Sequence, residues 1–278
     1  MIDSILSVYY NDKVTQQIYR AQSEHRLKLI DFWGIKEGDR VLEIGCGQGD
    51  TTVALAAAVG EKGFVHGLDV ADENYGMPET IGKARKRILN SQLGNRIRMT
   101  FDCNIINDDI VFEDDEFDVA VLSHCLWYFP DYEVLEKILR KVKKYAKRVC
   151  IAEWNPLITN TNQLYHLHAA QIQSICESFY ENSDSNILTM FYPNDIKTAV
   201  VSAGYRITDT ASIYSEDVYD AKWEVDMTLT AYRRKISQSE NMPDRLKELL
   251  LSQIQVLREA KEIRPMASYV INAARCDE

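Results

Sequence analysis

Glu43, Gly45, Gly47 and Gly49 alternate through the segment VLEIGCGQGD at 41–50, and Asp50 closes it. Carboxylates interleaved with glycines make a loop that can carry a ligand, because glycine tolerates positive φ and lets backbone approach closely. The chemistry of that ligand follows from the charges. A dinucleotide loop would have its third glycine where this chain has Asp50, and two carboxylates repel a pyrophosphate. They suit a ligand with an ammonium group and a ribose. Asp69 closes the next apolar run, GFVHGLDV, roughly twenty residues after the loop, where a carboxylate can accept both ribose hydroxyl hydrogens. A glycine-rich turn alone is often only a tight turn. The later segment FDVAVLSHCLWYF, following in order, is what makes the pattern specific.

These residues need a scaffold that presents them from strand ends. RVLEI reads as a buried parallel strand and TTVALAAAV as the helix after the loop. Further strands are predicted near 40–45, 63–69, 96–103, 117–123 and 148–154, with helices at 12–35, 50–59, 78–92 and 131–146. Such alternation predicts right-handed βαβ crossovers and an α/β fold. After Trp154 the pattern lengthens. Helices are expected at 160–182, 193–203 and over most of 217–259, with strands at 205–215 and 266–275. Long insertions in surface connections cost little, about 0.6 kcal/mol per doubling of loop length, and often carry function.

In the order of these motifs the chain resembles the class I S-adenosylmethionine-dependent methyltransferases, whose first motif is E-x-G-x-G-x-G and whose second strand ends in an acidic ribose ligand. The resemblance covers most of residues 38–155. It implies S-adenosyl-L-methionine as cofactor and a Rossmann-like, doubly wound, seven-stranded and mostly parallel sheet. The sixth strand and an antiparallel seventh would form an edge hairpin, here split by roughly fifty residues. The expected organisation is a single methyltransferase domain over 1–278, with a cofactor-binding core at 36–154 and helical cap elements at 1–35, 155–192 and 214–263.

The same resemblance distributes the cofactor contacts. Gly45, Cys46 and Gly47 would present backbone to the methionine moiety, with Gly49 in the same turn. Glu43 or Asp50 would organise its ammonium or the loop itself, and Asp69 with Val70 would hold the ribose. Asp102, Cys103 and Asn104 compete for the adenine; Asn104 is favoured because an amide both accepts and donates. Ser123 and His124 follow the fourth strand beside the reactive sulfonium. His124 either positions the methionine portion or acts as a base, and the first is favoured because methyl transfer is mostly placement of an activated electrophile.

The methyl-acceptor side has fewer signals. Glu153 and Trp154 end the fifth strand and suit an amine, although Glu153 serves equally as a buried structural partner. His166, on a face shared with Ala169, Ala170 and Gln173, is the candidate base; His168, in line with Ile172 and Ile175, has the pattern of a core histidine and is a second substrate-binding candidate. Tyr10, Tyr128 and Trp223 are further substrate-binding candidates, and Tyr75 could fold over the adenosine. The combination EIGCGQGD, ENYGMP, HCLWYF, AEW and AKWE is similar to a bacterial methyltransferase-like group labelled cyclopropane-fatty-acyl-phospholipid-synthase-like.

A net charge of -10 argues against a nucleic-acid partner, and the basic runs at 83–87 and 140–144 fall on amphipathic helices. Six cysteines are scattered without a C-x-x-C pair, so no metal site or disulfide framework is signalled. No signal peptide or membrane-length apolar run is seen, which predicts a soluble, cytoplasmic protein without stable membrane association. The oligomeric state is left open, a homodimer included. The expected function is methyl transfer from S-adenosylmethionine to a small-molecule N, O or S acceptor. The alternatives are a cyclopropane-synthase-like transferase acting on a lipid alkene, and a non-catalytic S-adenosylmethionine-binding protein.

Overall fold

A computed structural model of the chain describes residues 1–9, 13–107, 109–181, 183 and 185–276. Its strands are Arg40–Ile44 (β1), Phe64–Leu68 (β2), Ile97–Thr100 (β3), Val119–Ser123 (β4), Arg148–Trp154 (β5), Tyr205–Ile213 (β6) and Ser268–Arg275 (β7). They form one sheet in the order β3-β2-β1-β4-β5-β7-β6. β1 to β5 pair in parallel, and β7 runs antiparallel between β5 and β6.

Side chains alternate across this sheet as the strand period requires. In β4, Val119 and Val121 join one apolar layer while Ala120 and Leu122 join the other. The first layer is covered by Lys13–Phe32 (α2), Asp50–Val59 (α3) and Ile81–Leu89 (α4), through Leu29, Val53 and Ile88 among others. The second is covered by Tyr132–Tyr145 (α5) and Pro193–Ser202 (α7), through Leu139 and Val200. Strands buried on both faces read as continuous apolar runs, which is why they were visible in the sequence.

Two boundaries differ from expectation. A short helix at Ile2–Leu6 (α1) precedes α2, and the stretch predicted as mostly helical over 217–259 is broken into Asp220–Met227 (α8), a π-helical turn at Thr228–Tyr232, Arg233–Gln238 (α9) and Asp244–Arg258 (α10). Pro243, which has no N–H to continue α9, stands at the start of α10. Together with Leu164–Glu177 (α6), these helices bury an apolar cluster of their own, including Ile172, Val225, Ile236 and Ile254. The helices between β6 and β7 thus sit beside α6, past the carboxyl end of β5. Gln22 of α2 ties to them, donating to Asp220 Oδ2 at 2.6 Å.

Candidate active site

The strand order reverses between β1 and β4, and in an open α/β sheet the ligand crevice opens outside the strand carboxyl ends at that reversal. The loop after β1 folds back over β2, with the N–H groups of Gly45 and Cys46 donating to the Leu68 carbonyl at 2.9 and 3.0 Å. A Cβ at Gly45 would stand 2.6 Å from Cys125 Cβ, so this turn is packed against the segment after β4. Gly47 is the opposite case. It has φ +49°, and a Cβ there would meet nothing within 4 Å, leaving a backbone ledge open to a ligand.

Asp69, at the end of β2, accepts from the Gly47 N–H at 2.7 Å through Oδ2 and from the Ala71 N–H at 2.9 Å through Oδ1. Each carboxylate oxygen has a second lone pair, so these bonds orient the group without consuming it. Val70 next to it is exposed at the rim. Asn104 caps its own turn, its Oδ1 accepting from the Ile106 N–H at 3.0 Å, while Asp102 is exposed with φ +54°. The Tyr75 hydroxyl donates to Asn186 Oδ1 at 3.3 Å, bridging the connection after Asp69 to the segment after α6.

Glu43 lies beneath this loop and accepts from Thr52 Oγ1 at 2.6 Å. Burial pushes its carboxyl up to about 8, against that hydrogen bond and the pull of Arg26. Its position is that of a loop support, out of contact with the crevice surface. Because the folded value exceeds the ordinary 4.5, stability from this group is present below pH 4.5 and is lost as pH rises through about 8. Burial acts with the opposite sign on His25 and His166, both pushed down to about 3, which lose stability as pH falls from 6.5. Glu43→Gln, which retains an acceptor for Thr52, should therefore flatten the decline in melting temperature above pH 4.5, a gain of about 2–5 kcal/mol by pH 8, and leave the acid limb unchanged. An unaltered alkaline limb would show that Glu43 does not titrate there.

After β4, His124 takes φ +52° and its N–H donates to the Ala152 carbonyl at 2.8 Å. Its imidazole leans on Trp154, ring centroids 4.5 Å apart, with Nδ1 3.3 Å from Ser123 Oγ and Nε2 2.8 Å from Ser268 Oγ. The same Ser268 hydroxyl is 2.8 Å from His25 Nε2, whose Nδ1 is 3.0 Å from Ser215 Oγ. Ser268 has a single hydroxyl proton, so at most one of the two imidazoles accepts from it and at least one donates to it. Burial holds both rings well below the usual histidine range, so both are neutral near pH 7.

The family model for a methyltransferase domain matches residues 35–223. The chain belongs to that family. It is a class I S-adenosylmethionine-dependent methyltransferase. It is 28% identical over 208 residues to demethylmenaquinone methyltransferase of Alkalihalophilus pseudofirmus, covering 72% of this chain and 82% of that one. A cyclopropane-fatty-acyl-phospholipid synthase-like protein from Lactobacillus casei superposes with a TM-score of 0.87 at 28% identity, over 98% of each chain. Geranyl diphosphate C-methyltransferase from Streptomyces coelicolor shares the fold, with a TM-score of 0.52 at 14% identity over 92% of this chain and 79% of that one.

Several residues of the methyltransferase stand differently from their sequence-based roles. Glu153 is buried and accepts three backbone N–H groups, from Leu126, Trp127 and Trp154 at 2.9, 3.4 and 2.8 Å. It clamps the turn after β4, so the structural alternative replaces the catalytic one. His166 has no exposed surface, and its Nδ1 accepts from the Met266 N–H at 3.0 Å. That bond fixes the neutral proton on Nε2, so the ring can donate there but cannot act as the base assigned to it. His168 turns toward the backbone of Gln253 in α10, into the packing of the cap helices, and leaves the crevice. Trp154 is buried against the rings of His25, His124 and His166. Tyr128 keeps 43% of its surface exposed, while desolvation and the nearby Tyr75 and Glu224 raise its hydroxyl pKa. Trp223 is on α8 with 36% exposed, and Tyr10 lies outside the described residues.

His25, Ser268, Arg26, Asp220 and Glu224 were missed. His25 and Ser268 are 243 positions apart, and their types carry no local pattern. Glu224 did lie in a quoted motif, AKWE.

Proposed function

We propose that this methyltransferase acts on a small, polar N, O or S acceptor held between the carboxyl end of the sheet and helices α6 and α8. The observation that supports this reading is the polar lining of the cleft's far wall. Gln22 is bound to Asp220, and Gln173 of α6 donates to Glu224 Oε2 at 2.7 Å. Burying such groups against a lipid chain or a bare quinone ring would leave their remaining hydrogen-bonding capacity unmet, which costs roughly 1–3 kcal/mol each. That is why the activity named for the demethylmenaquinone relatives is not carried over.

The residues present fit the cofactor. The open ledge at Gly47 and the oriented carboxylate of Asp69 would take its backbone-facing and ribose parts, and Asn104 or Asp102 its adenine. When bound, S-adenosylmethionine supplies an electrophilic methyl group on a sulfonium. The protein's own part is placement: Trp154 and Ser268 fix the His124 ring, and Glu153 fixes the turn that carries it. Placement of this kind accounts for much of the acceleration available to a transfer between two bound molecules.

Arg26 is read as the partner of the cofactor's α-carboxylate. Its Nε donates to Thr51 Oγ1 at 3.2 Å and Nη2 lies 3.7 Å from Asp50, at the first turn of α3, where a helix N-terminus also favours an anion. Arg26→Gln is expected to weaken S-adenosylhomocysteine binding about 10- to 100-fold and to leave 5′-methylthioadenosine, which lacks the amino-acid part, unchanged by calorimetry. Equal losses for both ligands would remove Arg26 from this role. The proposed reaction itself is tested by supplying methyl-labelled S-adenosylmethionine with panels of amines, phenols, thiols and unsaturated phospholipids. Label appearing in the lipid alone would overturn the small-acceptor reading.

A further inference from the structure

Helix α8, the first of the helices between β6 and β7, carries two recessed carboxylates, and among the described residues no basic side chain hydrogen-bonds to either. Asp220 and Glu224 are one turn apart on α8, so they share a face. Asp220 accepts from the Gln22 amide at 2.6 Å and Glu224 from the Gln173 amide at 2.7 Å. Amides donate hydrogen bonds but add no charge. Arg26 attracts Asp220, but its own bonds go to Thr51 and Gln22. Two recessed carboxylates with only amide partners are held short of full ionisation, burial pushing the Glu224 carboxyl up to about 7 and raising that of Asp220, and a bound cation would let both ionise.

An independent feature points to a ligand in the same space. His166 Nε2 is fully buried and has no hydrogen-bond partner among the described residues, and the Met266 N–H at Nδ1 makes that Nε2 a donor. A buried donor left unpaired costs about 1–3 kcal/mol. The ring stands edge-on to Trp154 with centroids 5.3 Å apart, and the same indole meets His124 with centroids 4.5 Å apart. Along α6, His166 and Gln173 are two turns apart on one face, and Gln173 is the residue that holds Glu224. The orphan donor and the residue that holds Glu224 therefore share one face of α6, about 10 Å apart along the helix. The Tyr128 hydroxyl lies within the field of Tyr75, Glu224, Glu153 and Asp69.

We propose that this cleft binds an organic ammonium compound, its cationic nitrogen between Asp220 and Glu224 and an oxygen at its other end accepting from His166 Nε2–H. The proposal rests on the small-acceptor reading above and names its substrate class. Tyr128 and Trp154 offer aromatic faces to the body of such a molecule, and a π face also favours a cation.

Calorimetric titration of the S-adenosylhomocysteine complex with tyramine, phenethylamine and 4-ethylphenol tests this without turnover. Tyramine is expected to bind at least about tenfold more tightly than 4-ethylphenol, which lacks the ammonium, and severalfold more tightly than phenethylamine, which lacks the oxygen. Glu224→Gln should weaken both amines about tenfold and leave 4-ethylphenol unchanged. His166→Phe should bring tyramine down to the level of phenethylamine. Should the aromatic replacement fail to fold, Glu224→Gln, which keeps shape and the Gln173 contact, still decides. The proposal is overturned if 4-ethylphenol matches tyramine, if Glu224→Gln leaves amine binding unaltered, or if none of the probes binds a complex that does hold S-adenosylhomocysteine. Failure of S-adenosylhomocysteine itself to bind would instead overturn the crevice assignment beneath it.

Discussion

Gly47→Val is expected to abolish S-adenosylhomocysteine binding, lowering affinity by more than about 100-fold, in a protein that still folds. Two effects add. The valine side chain would project into the space that the ledge leaves open, since a Cβ there meets no protein atom within 4 Å. The φ of +49° is also unfavourable for a β-branched residue and costs about 1–3 kcal/mol. Gly34 separates these effects, because it has φ +62° and equally open space around a Cβ, but lies between α2 and β1, away from the crevice. Gly34→Val should lower the melting temperature comparably and bind S-adenosylhomocysteine normally. Normal binding by Gly47→Val would mean that the cofactor lies elsewhere.

The contrast between the two halves of the site explains what the sequence made legible. The cofactor half is local: Glu43, Gly45, Gly47 and Asp50 follow one another, and Asp69 ends the next strand, so a short pattern encodes both the turn and its chemistry. The sheet was equally readable, because strands covered on two faces carry continuous apolar runs. The proposed acceptor half is assembled by topology. Ser268 of β7 joins His25 of α2 to His124 after β4, and Asp220 of α8 meets Gln22 of α2. Neither pairing leaves a spacing to detect. His166 shows a second limit, for the proton's place on its ring is set by the Met266 backbone a hundred residues away. Residue type suggested a base; the distant N–H makes it a donor. Glu153 went the same way, since three N–H groups that no sequence pattern announces turn a candidate catalyst into a clamp.

Asp69→Ala should weaken S-adenosylhomocysteine binding by about 100-fold or more, because the carboxylate has two jobs. It holds the loop by accepting from the Gly47 N–H at 2.7 Å and the Ala71 N–H at 2.9 Å, and its remaining lone pairs are the proposed ribose contacts. Hydrogen bonds to a charged group contribute about 1.5–3 kcal/mol each, so losing the ribose pair alone costs at least about 3 kcal/mol, or about 100-fold or more. Asp69→Asn should do little better, since its NH₂ would confront one of the two backbone donors. The two jobs separate by ligand choice. Adenosine needs both an ordered loop and ribose hydroxyls, whereas 2′,3′-dideoxyadenosine can use only the loop. The variant should therefore cost adenosine at least about tenfold more than the dideoxy analogue. Equal losses would leave Asp69 as a loop anchor alone, and the ribose would have to be held by another group at the end of β2. Arg26 supplies the complementary control, because its replacement should spare every ligand that lacks the amino-acid tail, while the Asp69 variant spares none that carries the ribose.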